Sequence, residues 1–258
     1  RLMEAQAHQY DPQARVEVQE APIEFLALGQ STIRVAGRQS DGLKPMAREV
    51  AFYMLDAGPV DRDVLVEAFW PEHSPGRQTA NLHMAVYQLR QLLGKDSVTL
   101  DGSAYSLQPS RALEYDVRRF ERSAAIAERL PIGDPRRMFA LTEAVNSYGG
   151  AFLPESDSAW VMLRRRQLQS RYIDLLVAGA EESLTRDQVA RAAQLLREAV
   201  EHEPLRDDLH EQLMRALHRM GRRNEIVELY QRYVHALSED LGLDPPDQLR
   251  DLYTRLIS

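Results

Sequence analysis

Between Ser74 and Gly94 the chain reads SPGRQTANLHMAVYQLRQLLG, a stretch without a single carboxylate in a protein of net charge −7. Among its polar side chains, Arg77, Asn81, His83, Gln88, Arg90 and Gln91, with Lys95 just beyond, are hydrogen-bonding groups rather than a catalytic set. Asn81, Gln88 and Gln91 carry amides that match the N6/N7 edge of adenine, and Arg77 and Arg90 carry guanidiniums that match guanine or phosphate. Ala80 and Met84 suit a thymine methyl group. The chemistry on offer is the reading of base edges.

Such groups read nothing unless an element aims them together. Leu82, Val86, Leu89 and Leu93 recur at i, i+4, i+7 and i+11, which predicts an amphipathic helix. Ser74-Pro75 starts it, with proline in the first turn where its missing N–H costs nothing, and Gly94 stops it. With the apolar stripe inward, Arg77, Ala80, Met84, Tyr87, Gln88 and Gln91 fall on the opposite face and Asn81, His83 and Arg90 on its flanks.

The elements around it are also legible. Ile23–Leu28 and Thr32–Val35 are apolar stretches joined by the turn signal Gly29-Gln30-Ser31. A helix is predicted from Lys44-Pro45 to about Ala57, stopped by Gly58-Pro59. Asp61 is placed to cap a second helix bearing Val64, Leu65, Ala68 and Phe69, which Trp70-Pro71 ends. Ser97–Leu100 and Ala104–Leu107 flank Asp101-Gly102, a hairpin signal. Strands, three helices and a hairpin in that order describe a winged helix-turn-helix with a small β-sheet and a wing, in which the third helix enters the major groove.

From about Asp116 onward the pattern is helical, broken at Pro131–Pro135, Gly149–Pro154, His202–Pro204, Gly221 and Gly242–Pro246. Ala192/Ile226, Leu195/Leu229, Leu196/Tyr230 and Val200/Val234 repeat at an offset of 34 residues, the tetratricopeptide period. The expected fold class is therefore mainly α, with a winged-helix domain over residues 21–110 and an all-α, tetratricopeptide-like domain over 111–258. Residues 1–20 read as a linker or terminal edge, and the start at Arg1 rather than Met reads as part of a longer chain.

Composition narrows the function. The chain has no cysteine, which excludes disulfides, thiolate catalysis and thiolate metal sites and suits a reducing cytoplasm. No apolar run reaches the ~18 residues that would span a bilayer, so no membrane partner is expected. From Ile23 to Gln108 eight Lys/Arg face ten Asp/Glu, a weak footprint for phosphate. Binding of DNA by one copy should therefore be modest and strengthened by a dimer or by tandem sites.

Several segments resemble one family. Leu65-Val66-Glu67-Ala68-Phe69-Trp70, Asn81-Leu82, Leu89-Arg90-Gln91-Leu92-Leu93-Gly94, Ala104-Tyr105-Ser106-Leu107 and Tyr115-Asp116-Val117-Arg118-Arg119-Phe120 carry the resemblance in the first half. In the second half it rests on Tyr148-Gly149-Gly150-Ala151-Phe152-Leu153-Pro154, on Glu203-Pro204-Leu205-Arg206-Asp207-Asp208-Leu209-His210 and on Leu237-Ser238-Glu239-Asp240-Leu241-Gly242-Leu243-Asp244-Pro245-Pro246. In this order they resemble the SARP-type bacterial regulators, which join an OmpR-type winged helix to a bacterial transcriptional activator domain. The resemblance implies an activator that binds repeated sites on double-stranded DNA and recruits RNA polymerase, with no cofactor, no metal and no catalysis. It places Met84, Tyr87 and Gln88 at bases and Arg77 and Arg90 at phosphate or guanine; with Asn81, His83, Gln91, Lys95 and Tyr105 these make up the expected DNA-contacting set. The chain departs from the family at Tyr87-Gln88, where relatives carry more cations, and at Ser106 of the wing, where they carry arginine. Those departures support an alternative, a protein-interaction or signalling module whose winged helix binds DNA weakly or not at all.

Other features are expected to be structural. Arg164-Arg165-Arg166 with Arg171 reads as a solvated helix face beside Glu155 and Asp157 rather than a second phosphate patch. His202, His210 and His218 lack metal-ligand spacing, and Trp70 and Trp160 read as packing anchors. Gly149-Gly150 has the surroundings of a turn and of no nucleotide-binding loop.

Overall fold

The computed structural model describes residues 22–40, 42–109 and 112–258; the expected linker over 1–20 lies outside them. The described chain is mainly helical. Its strands are β1 Ile23–Leu26, β2 Thr32–Val35, β3 Arg38–Gln39, β4 Val60–Asp61, β5 Val98–Asp101, β6 Ala104–Leu107 and β7 Leu113–Tyr115. They form two sheets, in the orders β3-β2-β1-β7 and β4-β6-β5. Strands β3, β4 and β7 are two or three residues long, too short to show an alternating pattern in sequence.

The helices are α1 Pro45–Ala57, α2 Arg62–Phe69, α3 Pro75–Leu93, α4 Asp116–Arg129, α5 Pro135–Ser147, α6 Ala159–Thr185, α7 Val189–His202, α8 Asp207–Arg219, α9 Arg223–Leu241 and α10 Asp247–Ile257. The chain groups into two compact units, one of residues 22–24 with Arg34–Glu114 and the other of Phe25–Ile33 with Tyr115–Ser258.

In the first unit α1 packs on α2 and α3. Val50, Met54, Leu55, Leu65, Leu82 and Leu89 are all but fully buried there. Asp61 caps α2 by accepting the Asp63 N–H at 2.8 Å. The hairpin differs from expectation by one residue: Asp101 pairs with Ala104, so the loop is Gly102-Ser103. Gly102 alone takes a positive φ (61°) there, the requirement of a type II′ turn, which suits the right-handed twist of its strands.

In the second unit α4 to α10 follow one another, each helix packing against the next. All eight residues of the 34-residue repeat lie in one apolar cluster with Leu213, Met214 and Leu217 of α8. Burying the faces of α7 and α9 against α8 is what the repeat pattern demands, because one helix pair alone leaves its apolar side wet. A break absent from the sequence reading separates α6 from α7. Asp187 adopts φ 58° there, a left-handed conformation that aspartate tolerates, so neither glycine nor proline marks the turn.

The segment Phe25–Ile33 is held within this unit by backbone pairing. Gly29 N donates to Ala151 O at 2.9 Å and Leu153 N to Ala27 O at 2.8 Å. A Cβ on Gly29 would lie 2.3 Å from Gly149 O, so the glycines at 29 and 149 permit a close backbone approach. The buried Asp116 carboxylate accepts from Ala27 N, Leu28 N (2.9 Å) and Val117 N (2.8 Å). Burial pushes that carboxyl up, against the pull of its N–H donors.

Candidate nucleic-acid interface

Helix α3 is fixed at both ends. Gln78 N donates to Ser74 O (2.9 Å) in the first turn, and the Gln78 side-chain amide donates to Trp70 O (2.9 Å), tying α3 to the end of α2. Leu82, Val86, Leu89 and Leu93 are buried, and Ala85 joins them, so the core stripe is wider than the sequence pattern. At the far end Gly94 N donates to Arg90 O (3.1 Å) and Ser97 N to Gly94 O (3.0 Å), turning the chain into β5.

The opposite face is open. Arg77, Ala80, His83 and Gln91 are exposed and Asn81 half-buried. Met84 and Tyr87 are 54% and 59% exposed, high values for large apolar side chains. They stand three residues apart and so neighbour each other on the helix surface. Lys95 is exposed just past the helix end.

Three of the expected contact residues are placed otherwise. Arg90 donates through Nε (3.1 Å) and Nη2 (2.7 Å) to the Val98 carbonyl, which fastens the hairpin to α3. Gln88 is half-buried, and its Oε1 accepts the Lys44 N–H at 3.3 Å, joining α3 to the start of α1. Tyr105 is 4% exposed and pairs with Val60, so it belongs to the core of the small sheet and offers no surface for contact. Strand alternation carried that signal: Tyr105 and Leu107 are two apart and share the inward face.

The hairpin is also held at its tip. Arg62 N donates to Ser103 O at 2.8 Å, and the Ser103 hydroxyl donates to the Asp61 carboxylate. That hydroxyl and the Asp63 N–H hold the Asp61 carboxyl below its ordinary value. The exposed surface of β5 shows Thr99, Leu100 and Asp101, with Leu100 51% exposed. Leu100 was not singled out in sequence, because its position in a short strand does not say which side is wet.

Three of the four arginines of α6 are internally engaged, and Arg166 is exposed. Arg164 donates to Glu121 (2.7 Å), Arg171 to Glu128 (2.9 Å), and Arg165 to the carbonyls of Phe152, Leu153 and Ser156 at 2.7–2.8 Å. The partners are acids of α4 rather than the expected Glu155 and Asp157. Trp70 is buried against Phe69, and Trp160 meets the Phe152 ring edge-on. His210 is buried with Nε2 2.8 Å from Pro204 O, and burial pushes its pKa down. Among the described residues no group of three His, Asp or Glu could hold a metal ion, and no helix is long and apolar enough to cross a membrane.

Comparison with known proteins places this arrangement. Residues 115–257, more than half of the chain, match the family model described as Bacterial transcriptional activator domain. The chain belongs to that family and, with it, to the SARP-type bacterial transcriptional regulators. It is 27% identical over 195 residues to the regulatory protein AfsR of Streptomyces griseus, covering 75% of this chain and 20% of that one. It is 25% identical over 248 residues to the transcriptional regulatory protein EmbR of Mycobacterium tuberculosis, covering 92% and 64%. A solved structure of Mycobacterium tuberculosis EmbR, in complex with low affinity phosphopeptide, superposes with a TM-score of 0.73 at 25% identity, over 91% of this chain and 65% of that one. The chain thus spans a fifth of the AfsR relative and just under two thirds of EmbR.

Proposed function

We propose that the chain is a DNA-binding transcriptional regulator in which Arg34–Glu114 forms a winged helix, with α3 as the reading helix and β5–β6 as the wing. The observation that carries this reading is the open face of α3: a carboxylate-free helix, braced at three points, with its polar and apolar groups turned to solvent. A major groove about 12 Å wide admits one such helix. Arg77 near its start and Lys95 beyond its end are the cations suited to flanking phosphates. The helices α4–α10 form a tetratricopeptide-like stack that pairs subunits on repeated sites and holds RNA polymerase nearby, so activation works by recruitment without chemistry.

Two cations per copy give a shallow dependence of affinity on salt, a slope of about −2 per copy by counterion release. The test is selection of bound duplexes from a random pool at about 50 mM salt and again at higher salt, with the full chain. Enrichment of a repeated motif, lost on substituting Arg77, Met84 and Tyr87 together by alanine, supports the reading. Failure to enrich any motif at either salt contradicts it. The second reading, an interaction module with little DNA affinity, draws on the wing's exposed Asp101, on its lack of cations and on Arg90 being held by Val98. That failure is the outcome it predicts.

A further inference from the structure

Resting on that reading, we infer that α3 reads DNA chiefly through the 5-methyl groups of thymine, contacted by Met84 and Tyr87, and that Arg90 positions the wing instead of reading guanine.

The inference follows from which groups remain free to touch a base. Helix α3 contains two guanidiniums, Arg77 and Arg90. Two of the Arg90 donors already point at one carbonyl, Val98 O, at 3.1 and 2.7 Å. Only the outer Nη donors remain for any other partner, because the Nε/Nη2 edge is anchored to the hairpin through two donors, which ties the guanidinium to the wing. Releasing them would leave the Val98 carbonyl unpaired and loosen the hairpin from the helix. Arg77 sits in the first turn, seven residues before Met84, which at 1.5 Å per residue is about 10 Å along the axis, or roughly three base pairs. The base steps beneath Met84 and Tyr87 therefore have no arginine of α3 over them.

What lies over them is apolar. A half-exposed methionine and tyrosine side by side on an otherwise polar helix leave unsatisfied apolar surface in the free protein. In the major groove the one apolar feature that differs between bases is the thymine methyl, which projects where a helix face would meet it. Met84 is unbranched and adapts its shape to such a group, while Tyr87 offers a ring face and a hydroxyl that can reach a neighbouring acceptor. Ala80, one turn before Met84, leaves room for the backbone of the groove to approach. Asn81 and Gln91 on either side carry amides suited to the adenine of the same A·T pair.

The test uses duplexes enriched by the full chain from a random pool, remade with deoxyuridine at each thymine in turn. Uracil keeps the pairing and removes only the methyl. The inference predicts that at one or more fixed positions the exchange weakens binding about threefold or more, the loss of one buried methyl. Met84→Ala or Tyr87→Ala binds more weakly and no longer distinguishes thymine from uracil at its own position, a coupling that a merely structural change would leave in place. Arg90→Lys keeps the base preference and lowers affinity evenly across sequences. An enriched motif that is indifferent to uracil everywhere, or a guanine preference abolished by Arg90→Lys, overturns the inference while leaving DNA binding intact. No enriched motif at all defeats the DNA-binding reading itself, and with it the inference; the apolar pair then belongs to a protein contact.

Discussion

Helices α3 and α6 both present arginines, two in α3 and four in α6, so by count alone α6 is the more cationic, although its sequence reads as a solvated face. The structure shows why the count does not decide. In α6 the guanidiniums of Arg164 and Arg171 face carboxylates of α4, and Arg165 closes a loop by bonding three carbonyls. In α3 Arg77 stands open on a face with no acid beside it. Local cation density alone is therefore a poor guide in an acidic protein, where many arginines are paired with carboxylates. The open face matters more than the count.

This contrast predicts that changes around α6 alter stability and leave DNA binding alone, whereas changes on the α3 face do the reverse. The largest effect should come at the end of α6. Glu182 is fully buried and accepts from Gly133 N (3.1 Å), Arg137 (2.9 Å) and Arg186 (2.9 Å). Glu182→Ala strands a half-buried pair of arginines and should cost about 3–5 kcal/mol in denaturant unfolding. Burial alone would raise the Glu182 pKa, but the Gly133 N–H and the two guanidiniums outweigh it and lower it. Its contribution is thus complete above the ordinary glutamate value of 4.5 and fades as pH falls through the lowered one. Wild-type stability should drop on acidification across that window by more than that of Glu182→Gln.

Next in size is Arg165→Ala, which removes the arginine donor from three carbonyls, of which Leu153 O keeps the Ser156 N–H, and should cost about 2 kcal/mol, read as a lower Tm with unchanged DNA affinity. On the α3 face, Met84→Ala with Tyr87→Ala should change stability by no more than about 0.5 kcal/mol, since both side chains are exposed. The same pair should lose roughly tenfold in affinity for an enriched site, measured by titration. Smallest of all is Arg171→Ala. Its exposed pair with Glu128 should be worth less than about 1 kcal/mol, and the salt slope of DNA binding should not move.

Much of the fold was legible in sequence because its signals are local. Pro75 and Gly94 bracket α3, and Asp61 caps α2 as its side-chain type suggests. The 34-residue offset marked residues that share one core. What escaped were features set by tertiary pairing. Two- and three-residue strands have no period to detect, and the turn at Asp187 uses neither glycine nor proline. The candidate site divided along the same line. Arg77, Met84, Tyr87 and Gln91 follow from helical periodicity alone. The roles of Arg90 and Gln88 depend on Val98 and Lys44, whose nearness no helix pattern reveals, whereas the burial of Tyr105 could have been read from its alternation with Leu107.

The most direct test of the contrast is photocrosslinking from both helices within the full chain. A benzophenone side chain replaces either Tyr87 on α3 or the exposed Arg166 on α6, and each variant is irradiated with duplexes enriched from a random pool. A DNA-reading α3 gives a protein–DNA adduct from position 87 and none from position 166. Adducts from 166, or their absence at 87 with duplex bound, would contradict it.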